Sequence, residues 1–391
     1  MAAVFREEAS RLVAALVRRL GDFDLAEELV QEAVLAALVA WPVSGIPANP
    51  GAWLLTAARR RGVDRLRRAA RYRDKLALLG SSLEAEVRPE SDDRLRLIFT
   101  CCHPSLSREA QLALTLRAVI GLSTGEVARA FLLSEAAMAQ RIVRAKRKIV
   151  EAAIPYRVPS GPELGERLDG VLGVLYLMFN EGYLSSASVP ERRDLARDAE
   201  WLASLLVGLL PEEPEALGLL ALIRLHLARA AARFDSSGRL VLLRDQDRSL
   251  WDHPAIAAAA ALVVKAGRMR RPGPYQVQAA IAAVHAESPS WEETDWRQIV
   301  ALYGLLLAHS DTPVVRLNRA IALAQVAGPA AALKEVDALG SELSGYHLFH
   351  ATRAELLRGL GRPADARAAD ARALELTSNP AERALLESRL A

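Results

Sequence analysis

Residues 121–149 read GLSTGEVARAFLLSEAAMAQRIVRAKRKI, and this stretch decides the fold. Ser123, followed three residues later by Glu126, makes a capping box, in which hydroxyl and carboxylate each satisfy an orphan backbone N–H at a helix start. The helix it opens ends near Phe131, Leu132 to Ser134 make a short turn, and Ser134 is the next N-cap. Val127, Ala128, Phe131, Met138, Ile142 and Ile149 fall at helical spacing and pack inward. Glu135, Ala136, Ala137, Gln140, Arg141, Arg144, Lys146, Arg147 and Lys148 are left facing outward. This is the helix-turn-helix pattern, whose second helix lies in a DNA major groove. Five basic residues and no acid across 141–148 separate it from a bare helical hairpin. The Gln140 amide and Arg141 guanidinium suit bidentate pairing with adenine and guanine. Arg144, Lys146, Arg147 and Lys148 suit phosphates, and Ala136 and Ala137 offer apolar contact alone, as to a thymine methyl.

Upstream, the chain is segregated by charge. Residues 22–58 contain no Lys or Arg, whereas Arg59 to Arg73 holds eight arginines against one acid, Asp64. From Asp24 to Ala40, Leu25, Leu29, Val30, Ala33, Val34, Ala37 and Leu38 form an apolar stripe. Asp24, Glu27, Glu28, Gln31 and Glu32 fall on or near the other face. Acids at a helix start also complement its dipole, and alone they signify no more than that. The next helix changes the reading, because NPGAWLLTAARRRGVDRLRR sets Arg59, Arg60, Arg61, Arg65, Arg67 and Arg68 along a few turns, which points to phosphate contacts. Trp53 suits the core or stacking on an unpaired base. Overall, residues 1–150 carry a net charge of +7 and the remaining residues −4, which points to two different partners.

A chain of 391 residues is long enough for two or three domains. With 51% hydrophobic, 25% charged and only 5% aromatic residues, it reads as a folded all-α protein; no run alternates like a β-strand. The longest apolar run, Ala255 to Val264, is too short to span a bilayer, and Arg6, Glu7 and Glu8 stand where a signal peptide would be apolar. The expectation is a cytoplasmic protein without a membrane partner. Adjacent Cys101 and Cys102 cannot build a disulfide framework, and with His103 they cannot all converge on one tetrahedral metal. Breaks fall at Trp41 to Pro50, Gly80 to Asp93 and Pro155 to Pro162. They give four segments: a first helical unit over 1–75, a linker over 76–93, a second unit over 94–155 and a helical body over 163–391. Near the C-terminus Ala320, Leu323 and Ala332 recur 34 residues later as Ala354, Leu357 and Ala366. This fits a tetratricopeptide-type helix pair or an ordinary helical hairpin.

Taken together, DLAEELVQEAVLAAL, PGAWLLTAARRRGVDRLRR and the helix-turn-helix resemble regions 2 and 4 of an extracytoplasmic-function (ECF) sigma factor. LRLIFTCCHPSLSREAQLALTLR, DGVLGVLYLMFNEGY, RRPGPYQVQAAIAAVHA and TDWRQIVALYGLLL further resemble the subgroup with a long, tetratricopeptide-like C-terminal extension. The resemblance implies a factor without enzymatic chemistry or cofactor that binds core RNA polymerase and directs it to promoters. Asp24, Glu27, Glu28, Gln31 and Glu32 would dock on the clamp of the largest polymerase subunit. Trp53, Arg59, Arg60, Arg65 and Arg68 would engage the −10 element, where capture of a splayed base offsets part of the unpairing cost. Ser134, Glu135, Ala136, Ala137, Gln140, Arg141, Arg144, Lys146, Arg147 and Lys148 would serve the −35 element. The chain departs from the family pattern at Arg60, where Asn is usual, and at Ser134 and Ala137, where Pro and Thr are common. The opposite charges of the two parts suggest an intramolecular contact through which the extension controls regions 2 and 4.

Two other classes compete. A conventional helix-turn-helix regulator with a helical effector-binding domain would need no polymerase-docking acids. A hydrolase or transferase in the C-terminal body would need a cleft with converging polar groups; neither a paired-histidine metal motif nor a nucleophile elbow nor a phosphate-cradling loop occurs in the sequence. Asn180, Glu181 and Tyr183 in FNEGY, and Arg271 and Tyr275 in RRPGPY, could line a pocket. The favoured reading is a helix C-cap at Gly182 and a tight turn at Pro272 to Pro274.

Overall fold

The computed structural model describes residues 2–20, 22–58, 91–131, 133–184, 190–236 and 238–390. The described residues form helices and no strand; one isolated bridge pairs Phe234 with Leu240. Two compact units result, Met1–Leu177 and Met178–Ala391.

The first unit begins with α1 (Ala2–Leu20), α2 (Phe23–Ser44) and a short α3 over 50–58. Asp22 caps α2 by accepting the Leu25 N–H at 3.1 Å. This helix outruns the expected break at Trp41. Pro42 sits in its final turn, where the residue's missing N–H costs one bond, and Gly45 at φ +80° ends it. Next come α4 (Ser91–Cys101), α5 (Arg108–Leu114), a π-helical turn over Thr115–Ile120, α6 (Thr124–Ala130) and α7 (Glu135–Glu151). The core gathers Leu12, Leu16 and Val17 of α1, Leu29, Ala33 and Trp41 of α2, and Leu97, Ile98 and Phe99 of α4, all buried. Leu38, expected in the apolar stripe, is 48% exposed.

The helix α8 (Pro162–Leu184) begins in the first unit, where two glycines let it lie close to its neighbours. The Arg108 guanidinium rests about 3.2 Å from where a Cβ on Gly173 would stand and donates to the Gly170 carbonyl at 2.9 Å. In return, buried Arg167 of α8 donates to the Phe99 carbonyl at 2.7 Å. Gly182 lies inside α8 and does not cap it. The helix runs on to Leu184, and Gly182 and Tyr183 instead help line a cavity of about 430 Å³ with Arg197, Glu200, Arg224 and Asp252. Asn180, Glu181, Arg271 and Tyr275 do not line it.

The second unit continues with α9 (Pro190–Leu209), α10 (Pro214–Leu227), α11 (His253–Arg268), α12 (Pro274–Glu287) and α13 (Trp296–His309). It ends with α14 (Pro313–Ala327), α15 (Pro329–Ala338), α16 (Gly340–Leu343), α17 (His347–Gly359), α18 (Pro363–Leu376) and α19 (Pro380–Leu390). Helix α10 is apolar all round and buried from Ala216 to Ile223, as a central helix must be. The RRPGPY segment is structural. Glu215 of α10 caps α12 by accepting the N–H groups of Tyr275 at 2.9 Å and Gln276 at 3.0 Å. Gly218 lets the two helices touch, since a Cβ there would meet the Gln276 nitrogen at 2.6 Å. The 34-residue spacing has a counterpart in space: Ala320, Ala332, Ala354, Leu357 and Ala366 share one buried cluster contributed by α14, α15, α17 and α18.

Candidate nucleic-acid interface

The helix-turn-helix is built from its caps outward. The Ser123 hydroxyl accepts the Glu126 N–H at 3.2 Å, and the Glu126 carboxylate accepts the Ser123 N–H at 2.6 Å, closing the capping box. The Ser134 hydroxyl accepts the Ala137 N–H at 3.2 Å and fixes the start of α7. Val127, Ala128, Met138, Ile142 and Ile149 are buried. The opposite edge, Ser134, Glu135, Ala136, Ala137 and Gln140, is exposed together with Arg144, Arg147 and Lys148. Arg141 is half-buried, 2.9 Å from the Glu109 carboxylate and 5.8 Å above the Phe131 ring. To reach a base it must leave Glu109.

Lys146 departs from the sequence reading. It is buried, and its ammonium donates to Asp24 Oδ1 at 2.7 Å and Glu27 Oε2 at 2.9 Å. Burial alone would lower its pKa, but the carboxylates of Glu27 and Asp24 outweigh it and hold the pKa above the ordinary lysine value. Glu27 departs likewise: it is 7% exposed instead of lying on a solvated face, and Arg117 approaches it at 3.8 Å. Periodicity places Lys146 on the outer face of α7 and Glu27 on the polar side of α2. It cannot show that the two sides meet. Removing one partner of such a buried pair costs ~3–5 kcal/mol, because the other charge stays buried.

Asp24 and Gln31 are exposed, and Glu28 and Glu32 are half-buried. Trp53 is half-buried, edge-on to fully buried Trp41 with ring centroids 5.5 Å apart. Arg59, Arg60, Arg65 and Arg68 lie outside the described residues. Sequence reasoning missed Tyr156, whose hydroxyl lies 2.9 Å from the Ala14 carbonyl and 3.2 Å from that of Asp93. It ties the segment after α7 to α1. Cys101 and Cys102 are buried free thiols, and burial pushes both upward, Cys102 to about 11. Among the described residues no group of His, Cys, Asp and Glu could hold a metal, and no helix is long and apolar enough to cross a membrane.

Residues 4–72 match the family Sigma-70 region 2, and residues 96–149 match Sigma-70, region 4. The chain belongs to the sigma-70 family. It is an RNA polymerase sigma factor, ECF-like, that binds core polymerase and promoter DNA. Region 2 thus contributes α1 to α3, and region 4 carries the helix-turn-helix of α6 and α7. Residues 167–267 match a family of unknown function (DUF6596). That match begins within α8, and the cavity described above falls inside it. The sigma factor is 47% identical to Uncharacterized protein R00370 of Rhizobium meliloti (strain 1021), over 96% of this chain and 92% of that one. No solved structure matches it.

Proposed function

We propose that this is an ECF-type sigma factor whose acidic helix α2 docks on the polymerase clamp through Asp24, Glu27, Glu28, Gln31 and Glu32. Trp53 and the arginines Arg59, Arg60, Arg65 and Arg68 engage the −10 element. The exposed edge of α7 reads the −35 element: Ser134, Glu135, Ala136, Ala137 and Gln140 face the bases, Arg141 joins them once it leaves Glu109, and Arg144, Arg147 and Lys148 hold phosphates. Lys146 becomes available to DNA only away from Asp24 and Glu27.

The observation that carries this reading is that edge, exposed at Ser134 to Ala137 and at Gln140 on a helix whose start is fixed by a side-chain cap and whose far end is basic. An N-terminal reading edge with flanking cations is what major-groove docking requires. The C-terminal extension, tetratricopeptide-like in its repeated helix pairs, regulates the factor; the opposite net charges of residues 1–150 and of the remainder support this.

The test is promoter-dependent transcription by sigma-free core polymerase. The full chain should initiate from discrete promoters, and the double reversal Glu28→Lys/Glu32→Lys should abolish initiation. A truncation after Leu177 gives the sign of the extension's effect, and unchanged transcription and core binding would remove its regulatory role. A chain that binds duplex DNA with sequence preference but initiates nothing would instead be a conventional regulator.

A further inference from the structure

Two groups of residues with different partners meet in the first unit. The reading helix α7 of region 4 reaches the acidic helix α2 of region 2 through Lys146, which bonds Asp24 and Glu27 at once. Arg117, from the π-helical turn of region 4, adds a second cation at 3.8 Å from Glu27. Tyr156 anchors the segment after α7 to the Ala14 carbonyl of α1, and α1 packs on α4 and the π-helical turn. Of the acids that should face polymerase, Glu27 is thus covered by the chain's own cations, and Asp24, still exposed, is held by one of them.

This arrangement cannot persist on a promoter. Elements at −10 and −35 lie about 25 base pairs apart, or about 85 Å at 3.4 Å per pair. Helix α7 has 17 residues and α2 has 22, so at 1.5 Å per residue they measure about 25 and 33 Å. Joined through Lys146, they cannot hold region 2 and region 4 on both elements. The interaction at Lys146 must break.

We propose that Lys146 is an intramolecular lock. It holds region 4 on the carboxylates with which region 2 engages polymerase, so that this contact and core binding exclude each other. Core polymerase opens the lock by taking Asp24 and Glu27, and DNA phosphates favour the open form by taking Lys146. By linkage each ligand then strengthens the other's binding. The inference rests on the reading of α2 as the polymerase-docking helix.

The test uses the full chain with Lys146→Met, which removes the charge at similar length, and Lys146→Arg, which keeps it. Spin labels at Val39 and Val150, both exposed and outside the proposed docking and reading sets, report the separation of α2 from α7 in the free chain. Affinity for core polymerase is measured without DNA. Lys146→Met should lengthen the distance and tighten core binding about tenfold, while Lys146→Arg should keep the short distance and the original affinity. An unchanged distance in a folded Lys146→Met chain overturns the lock, as does a longer distance without tighter core binding. A third variant, Glu28→Lys, separates the two readings. If it leaves core affinity intact, the docking assignment of α2 has failed; if it weakens binding while Lys146→Met changes nothing, only the lock has failed.

Discussion

Gly218→Ala is expected to destabilise the second unit, although alanine is the better helix former. The new Cβ would stand 2.6 Å from the Gln276 nitrogen and 2.8 Å from its Cα. Ordinary contact begins near 3.4 Å, so α10 and α12 must part by about 0.8 Å. Overpacking of this kind costs ~1–3 kcal/mol. The shift also stretches the bonds from Tyr275 and Gln276 to Glu215, at 2.9 and 3.0 Å, each with a net value of ~1 kcal/mol. Against this stands a propensity gain of ~1 kcal/mol, leaving a net loss of about 2 kcal/mol. Gly304→Ala is the control: Gly304 is exposed in α13 with nothing within 4 Å of its added Cβ, so only the propensity gain applies. Urea unfolding followed by tryptophan fluorescence should give midpoints displaced in opposite directions. If Gly218→Ala stabilises as much as Gly304→Ala, the close approach of α10 and α12 is not what the argument requires.

Removing Arg147 or Lys148 should lower the slope of log affinity against log salt by ~0.9 each without changing sequence preference; Gln140→Ala should instead relax discrimination at one base pair by ~1–3 kcal/mol. A Gln140 variant that only shifts the salt slope contradicts its placement on the reading edge. Cys101 and Cys102, buried and pushed upward, should resist a disulfide reagent at pH 8 in the native chain and react on unfolding. Rapid native labelling would refute their burial. His226 is held neutral first by burial and then by Arg229, and His285, for the same two reasons, falls to about 4. The native state therefore binds fewer protons than the unfolded state below about 6.5. Melting temperature should be flat above pH 7 and fall as pH drops from about 6.5 toward 4; a constant value between pH 7 and 5 would contradict this.

The helix-turn-helix was legible because its signals are local. Ser123, Glu126 and Ser134 act within three residues, and periodicity assigns Met138 and Ile142 to the core without knowledge of the rest of the chain. Lys146 and Glu27 were misplaced because they lie far apart in sequence. Amphipathic spacing names a polar side, and it carries no information on which polar side lies against another. Gly182 was misread for a related reason: glycine ends a helix only where the backbone turns left-handed, and tertiary packing carries α8 past it to Leu184. Glu215 was invisible as a cap because it serves a helix some sixty residues away. In RRPGPY, the clue was Gly273 before Pro274, which leaves space for that carboxylate.

Most helices beyond residue 162 open on a proline at their first or second position, among them α10, α12, α14, α15 and α18. Proline fixes its own φ and bars the residue before it from the helical region, so these helices cannot lengthen backward. An inserted residue within one of them would turn every following side chain by about 100°, and the start has no freedom to absorb it. The glycine turns do: Gly328 at φ +82° and Gly361 at φ +70° end α14 and follow α17. The reading frame of the C-terminal stack is thus pinned at the front of each helix and adjustable only at its back, which makes those turns the places where a peptide tag or reporter can be spliced in.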